Sequence, residues 1–240
     1  MHEHGVVFVP ASGRQLANLR ATLGATITQS PIIAENGTIV VQGDDEIHRE
    51  TITRSDAVAA VRTTRALREL GLDVGPVIAT RDRAYVDRID ERFVRQCAFY
   101  YAALEPVEDV LDLALDNVLK IAVYAFGDAE SECYEPLSAA VPGVQTVVSG
   151  AHWVDMMART ASKGRALAAV QERLGITPAQ TAVFGDYLND AELYDYSELS
   201  FAMANAHPGI LSRARYIAPA NTDDGVLRTI ETLLDRLSPR

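Results

Sequence analysis

From about residue 160 onward the chain alternates helix-like and strand-like segments, and this constrains the fold more than any other feature. Ser162 caps a helix with Leu167, Val170 and Leu174 turned inward, and Gly175 stops it. Thr181 to Gly185 is a short apolar run, followed by Phe201–Ala204, a helical Pro208 to Ala214, Tyr216–Ala218 and a closing helix Gly225 to Leu237. Strand–helix alternation predicts a parallel α/β sheet with its sites at the carboxyl ends of the strands. The N-terminal stretch fits the same sheet. Gly5 to Pro10 reads as a buried parallel strand, Leu16 to Leu23 as a helix stopped by Gly24, and Pro31–Ala34 as a second strand. Glu35-Asn36-Gly37 is a turn before a strand over Thr38 to Val41, and Asn-Gly between two such runs signals a hairpin.

The middle differs in composition. Residues 44–152 hold 11 basic and 20 acidic residues, against 11 and 13 in the rest. A helix is predicted over Ser55 to Leu70, capped by Ser55, with Val58, Val61, Leu67 and Leu70 at helical spacing. Val74 to Thr80, Leu119 to Phe126 and Gly143 to Val148 read as strands, and Val107 to Leu115 as a helix. The expected organisation is a core of residues 1–43 and 153–240 interrupted by an α+β module of residues 44–152.

Charge and cysteine content narrow the function. A net charge of −11 disfavours nucleic acid as a partner. No apolar run approaches the roughly 18 residues of a membrane helix, so no membrane partner is expected. Cys97 and Cys133 form neither a disulfide framework nor a CxxC metal site, and a cytoplasmic setting is the default expectation.

Three clusters follow predicted strands or open predicted helices. Ser12-Gly13-Arg14 places a hydroxyl and a glycine where a phosphate oxygen could sit, or where a simple helix cap would serve. Lys163, in Ser162-Lys-Gly-Arg165, is one of only two lysines in a chain that otherwise uses arginine. A cation on the first turn of a helix opposes the helix dipole and needs a compensating anion, for which a phosphate is a candidate. Gly185-Asp186-Tyr187-Leu188-Asn189-Asp190 crowds two carboxylates and an amide at one strand end, a donor set suited to Mg²⁺. A hydroxyl, an ammonium and a carboxylate–metal site at one sheet edge are the components of phosphoryl transfer.

With these residues in place, the sequence resembles the haloacid dehalogenase (HAD) superfamily, specifically the Cof-type phosphatases with a C2B cap. Ser12-Gly13-Arg14 is similar to motif II, Lys163 within Ala161-Ser-Lys-Gly164 to motif III, and Gly185-Asp186-x-x-Asn189-Asp190 to motif IV. The likeness extends to Pro31-Ile-Ile-Ala-Glu-Asn-Gly37, Phe201-Ala-Met-Ala-Asn205-Ala and Asp224-Gly225-Val226.

The resemblance implies a three-layer Rossmann-like core with an inserted cap, and a Mg²⁺-dependent phosphomonoester hydrolase acting on a small phosphorylated, sugar-phosphate-like metabolite. It further implies that Ser12, Gly13, Lys163 and Asn189 bind phosphate, and that Asp186 ligates Mg²⁺ with Asp190 supporting the metal shell or Lys163. Arg14, Glu35, Asn36 and Gly37 would lie at the substrate end. One departure stands out. Members of the family begin with a strand ending in Asp-x-Asp-Gly-Thr, whose first Asp is the nucleophile, and this sequence has no such motif. The expectation is a natural chain that starts further upstream and a 240-residue form without turnover. The alternative is a non-catalytic relative that binds a phosphorylated ligand or partner.

Overall fold

The computed structural model describes residues 1–27 and 29–237. Along the chain these form α1 (Leu16–Leu23), β1 (Pro31–Ala34), β2 (Ile39–Gln42), β3 (Asp45–Arg49), α2 (Arg54–Glu69), β4 (Val74–Ala79), β5 (Ala84–Val86), α3 (Glu91–Ala98) and β6 (Leu104–Pro106). There follow β7 (Lys120–Ala125), α4 (Glu135–Ala140), β8 (Val144–Gly150), β9 (Trp153–Ala158), α5 (Lys163–Leu174), β10 (Ala182–Gly185), β11 (Leu199–Met203), α6 (Pro208–Leu211), β12 (Tyr216–Ala218) and α7 (Gly225–Leu237). They fall into two compact units: residues 1–12, 27–48 and 162–240, and residues 13–26 and 49–161.

The first unit is α/β. Strands β10, β11 and β12 run parallel, with Phe184 opposite Phe201 and Phe201 opposite Tyr216. Strands β1 and β2 form the expected hairpin, Pro31 opposite Gln42 and Ala34 opposite Ile39, with β3 beside β2. Ile33, Val40, Leu167, Val170, Val183, Phe201 and Ile210 share one buried core. The N-terminal run departs from its expectation. Residues 5–10 form no strand; a single parallel bridge joins Ala11 to Ile33. Val9 and Ala11 pack against the core, but Val6, Val7 and Phe8 are exposed. The one sheet expected to contain both residues 5–10 and 181–185 is instead two three-stranded pieces, with no ladder between them among the described residues. An apolar run is held as a buried strand by backbone pairing along its length.

The second unit is built on a six-stranded sheet, ordered β6-β5-β4-β7-β9-β8. Side chains alternate across it. Ile121, Val123 and Ala125 of β7 join a core with Ala57, Ala60, Val61 and Leu67 of α2, while Ala122 and Tyr124 join Phe93 and Cys97 of α3.

Several expectations are corrected here. Trp153–Ala158 is a strand paired with β7 and β8, so the return to the core comes at Ser162 and not at residue 153, and residues 13–26 belong to this unit. Helix α2 is capped by Thr53, whose hydroxyl accepts from the Asp56 N–H at 3.1 Å, not by Ser55, and Leu70 lies exposed beyond its end. Residues 107–115 are not a helix. The Asp109 carboxylate accepts from the Leu111 N–H at 2.7 Å and pairs with Arg65 at 2.6 Å, which diverts the backbone into short turns.

Candidate functional site

The site residues of the first unit gather at the carboxyl end of β10. Ser162 caps α5 by accepting from the Arg165 N–H at 3.2 Å, which places Lys163 on the first helical turn. Lys163 is buried, 5 % exposed, and its Nζ donates to Asp190 Oδ1 at 2.7 Å. The anion that offsets this cation against the helix dipole is therefore supplied by the protein itself. The second oxygen of Asp190 accepts from the N–H groups of Asp186 at 3.0 Å and Tyr187 at 3.4 Å. Strand β10 thus ends in a loop folded back on its own carboxylate. Behind it the Tyr194 hydroxyl donates to the Phe201 carbonyl at 3.1 Å. Burial, with Asp190 and Asp186 adding to it, pushes that phenol up to about 12.

The β1–β2 turn meets this cluster. Asn189 donates its side-chain N–H to Asn36 Oδ1 at 3.1 Å, and the Asn36 N–H donates to the Ser12 carbonyl at 3.1 Å. Glu35, Asn36 and Gly37 all have positive φ, 49°, 59° and 93°. At Gly37 a side chain is excluded twice: the conformation disfavours it, and a Cβ would lie 2.3 Å from the Ser162 carbonyl oxygen. The turn is pressed directly onto the start of α5.

Of the expected site residues, Ser12, Glu35, Asn36, Gly37, Lys163, Asp186, Asn189 and Asp190 lie in the first unit, and Gly13 and Arg14 in the second. There the Gly13 carbonyl accepts from the Nζ of Lys120, a buried lysine 3.4 Å from Asp155. The other lysine of the chain is thus also an internal one.

The donor set fits a hard cation at one point. Asp186 is exposed, and its Oδ2 accepts from Asn221 Nδ2 at 2.9 Å. Asp190, expected to support the metal shell or Lys163, engages Lys163 through Oδ1 and the Asp186 and Tyr187 N–H groups through Oδ2. Mg²⁺ commonly takes one or two carboxylates and fills its remaining positions with water and phosphate, and one carboxylate at an exposed strand end is compatible with that. Among the described residues no three His, Cys, Asp or Glu side chains form a complete cage. Asn205, His207 and Asn221 were given no role by the sequence; a motif quoted by likeness contained Asn205, but nothing in spacing pointed to Asn221.

The chain is 27 % identical over 241 residues to the 5-amino-6-(5-phospho-D-ribitylamino)uracil phosphatase of Escherichia coli, covering all of this chain and 87 % of that protein. A protein from Eubacterium rectale shares the fold with a TM-score of 0.84 and 23 % identity, over 97 % of this chain and 87 % of its own. A sugar phosphatase of HAD subclass IIB does so with a TM-score of 0.76 and 18 % identity, over 97 % and 87 %. Residues 1–230 match the haloacid dehalogenase-like hydrolase family, a span that includes Ser12, Lys163, Asp186 and Asp190 as well as the whole second unit. The chain belongs to that family.

Proposed function

We propose that this chain carries the phosphate- and metal-binding residues of a Mg²⁺-dependent phosphomonoesterase acting on a small, sugar-phosphate-like metabolite. The observation that carries the proposal is the buried Lys163–Asp190 pair at 2.7 Å, beside exposed Asp186 and Asn189, at the end of β10. The name of the Escherichia coli relative, a phosphatase of a phosphorylated ribityl compound, supports the substrate class.

In this reading Lys163, Asn189, Ser12 and Gly13 bind phosphoryl oxygens. Asp190 fixes the Lys163 ammonium so that its position is set before a phosphate arrives. Asp186 holds Mg²⁺, which when bound would neutralise phosphoryl charge. Arg14, Glu35, Asn36 and Gly37 serve the substrate end. With Asp190 engaged and Asp186 given to the cation, this reading assigns the attack on phosphorus to no carboxylate of the described residues, in keeping with the lack of an Asp-x-Asp-Gly-Thr motif in the sequence. A second reading, a non-catalytic binder of phosphorylated ligands, is favoured by one observation: the sequence has no Asp-x-Asp-Gly-Thr motif.

Calorimetric titration of orthovanadate in Mg²⁺ tests the proposal. Lys163→Met and Asp186→Asn should each weaken binding at least tenfold, whereas Asp195→Asn, which alters an exposed pair with Arg213, should not. Equal affinity in all four proteins would remove Lys163 and Asp186 from the site. The two readings part on turnover in a chain extended to include an upstream Asp-x-Asp-Gly-Thr segment.

A further inference from the structure

The loops after β11 and β12 converge on Asp186. His207, after β11, donates its N–H to the Asp186 carbonyl at 2.8 Å, and Asn221, after β12, donates its side-chain N–H to Asp186 Oδ2 at 2.9 Å. Asn221 is itself held: its N–H donates to Asn205 Oδ1 at 3.0 Å, and the Ala204 N–H donates to the Ala218 carbonyl at 2.9 Å. The start of α7 closes the same loop. A Cβ on Gly225 would lie 1.9 Å from the Pro219 carbonyl oxygen, so only glycine lets the 219–225 turn fold this tightly. The carboxyl ends of three parallel strands therefore fix one carboxylate.

We infer that Asn221, held by Asn205, is a positioning residue that orients the Asp186 carboxylate toward a divalent cation. The inference rests on the proposal that Asp186 is a cation ligand. The chemistry suits the task. An exposed aspartate turns freely about two bonds, and a donor on Oδ2 leaves Oδ1 presented in one direction. The donor is neutral. A lysine or arginine there would cancel the charge that attracts the cation, and an aspartate could not donate. Partners of this kind, one step removed from a metal, typically alter its affinity by about 10–100-fold. This assigns a role to two segments that likeness alone had marked, the one around Asn205 and Asp224-Gly225.

The test uses the full 240-residue chain, uniformly ¹⁵N-labelled, and Mg²⁺ and Mn²⁺ as probes. In the wild type the Asn221 side-chain amide signal should shift as Mg²⁺ is added, and that shift should vanish in Asp186→Asn. Asn221→Ala should weaken Mn²⁺ binding about tenfold, read from paramagnetic broadening of the 185–190 amides. Asn205→Ala should act in the same direction with a smaller effect, and Asp195→Asn should act like wild type. Unchanged amide signals from β1 and α5, in the same unit, would establish that each variant is folded. Wild-type Mn²⁺ affinity in Asn221→Ala, with binding lost in Asp186→Asn, would overturn the positioning role and leave the cation-ligand reading intact. Wild-type affinity in Asp186→Asn, or no cation response in the wild type, would overturn both.

Discussion

The two units solve the same problem differently. In the second, one continuous sheet of six strands has both faces covered, and β4 and β7 are buried at every residue. In the first, the strands fall into two pieces of three, and an apolar run meant by its composition for an interior lies at the surface: Val7 is 49 % exposed and Phe8 38 %. The difference teaches that strand propensity is not enough. Residues 5–10 are as apolar as β7, but β7 has β4 on one side and β9 on the other. The run at 5–10 has no such pair, and only its last residues dock. The first unit also holds Lys163, Asp186, Asn189 and Asp190, which lie on loops and a helix start over strand ends.

The contrast can be broken or sharpened by measurement. The largest effect is expected at Lys163, which unit one buries against Asp190. Lys163→Ala leaves a buried carboxylate unpaired and should cost about 3–5 kcal/mol in chemical denaturation. Ile121→Ala, in the fully covered sheet of unit two, should cost about 2–5 kcal/mol. An Ile121→Ala protein as stable as wild type would deny that this sheet is the better packed of the two. Gly37→Ala should cost about 1–3 kcal/mol, because it forces a side chain into a positive φ and against Ser162. Phe8→Ser should change stability by less than about 0.5 kcal/mol and raise solubility, since Phe8 is a surface residue. A loss of several kcal/mol there would mean that the run at 5–10 is packed in solution.

Alkali separates the units as well. Burial raises Cys97 in the second unit to about 12 and Cys133 to about 11, and raises Tyr194 in the first to about 12. In each case the folded form holds its proton more tightly than the unfolded chain. The stability these groups contribute is full below the ordinary pKa and is lost as pH rises through the folded value. Ordinary values are about 8.5 for a thiol and about 10 for a phenol. Hydrogen exchange between pH 8 and 12 should therefore show protection falling in the second unit from about pH 9, and in the first only above about pH 10. Tyr194→Phe should flatten the second fall.

Much of this was legible in the sequence. Helices α1, α5 and α7 stand where caps, glycine stops and apolar spacing put them, and Asn36-Gly37 marks the hairpin. The cluster of Lys163, Asp186, Asn189 and Asp190 was readable because its members sit beside an apolar strand and at a helix start. What escaped depends on distant partners. Strand β9 is hidden by Asp155, a charge inside a buried strand, which makes sense only beside Lys120. The turns at 107–115 obey Arg65, 44 residues away from Asp109. The pairing of Lys163 with Asp190 spans 27 residues; the family resemblance implied it as one of two alternatives, whereas spacing alone pointed to a bound phosphate. Asn221 lies 35 residues from Asp186, in a loop with no pattern of its own.

In the proposed reading residues 1–240 bind phosphate and a divalent cation at the end of β10, and none of their carboxylates attacks phosphorus. Turnover of p-nitrophenyl phosphate by the purified chain in Mg²⁺ tests it most directly, measured beside Asp186→Asn. No hydrolysis above background is expected from either protein, although the wild type binds vanadate. Mg²⁺-dependent hydrolysis by the wild type that disappears in Asp186→Asn would contradict it, because the nucleophile would then lie within these 240 residues.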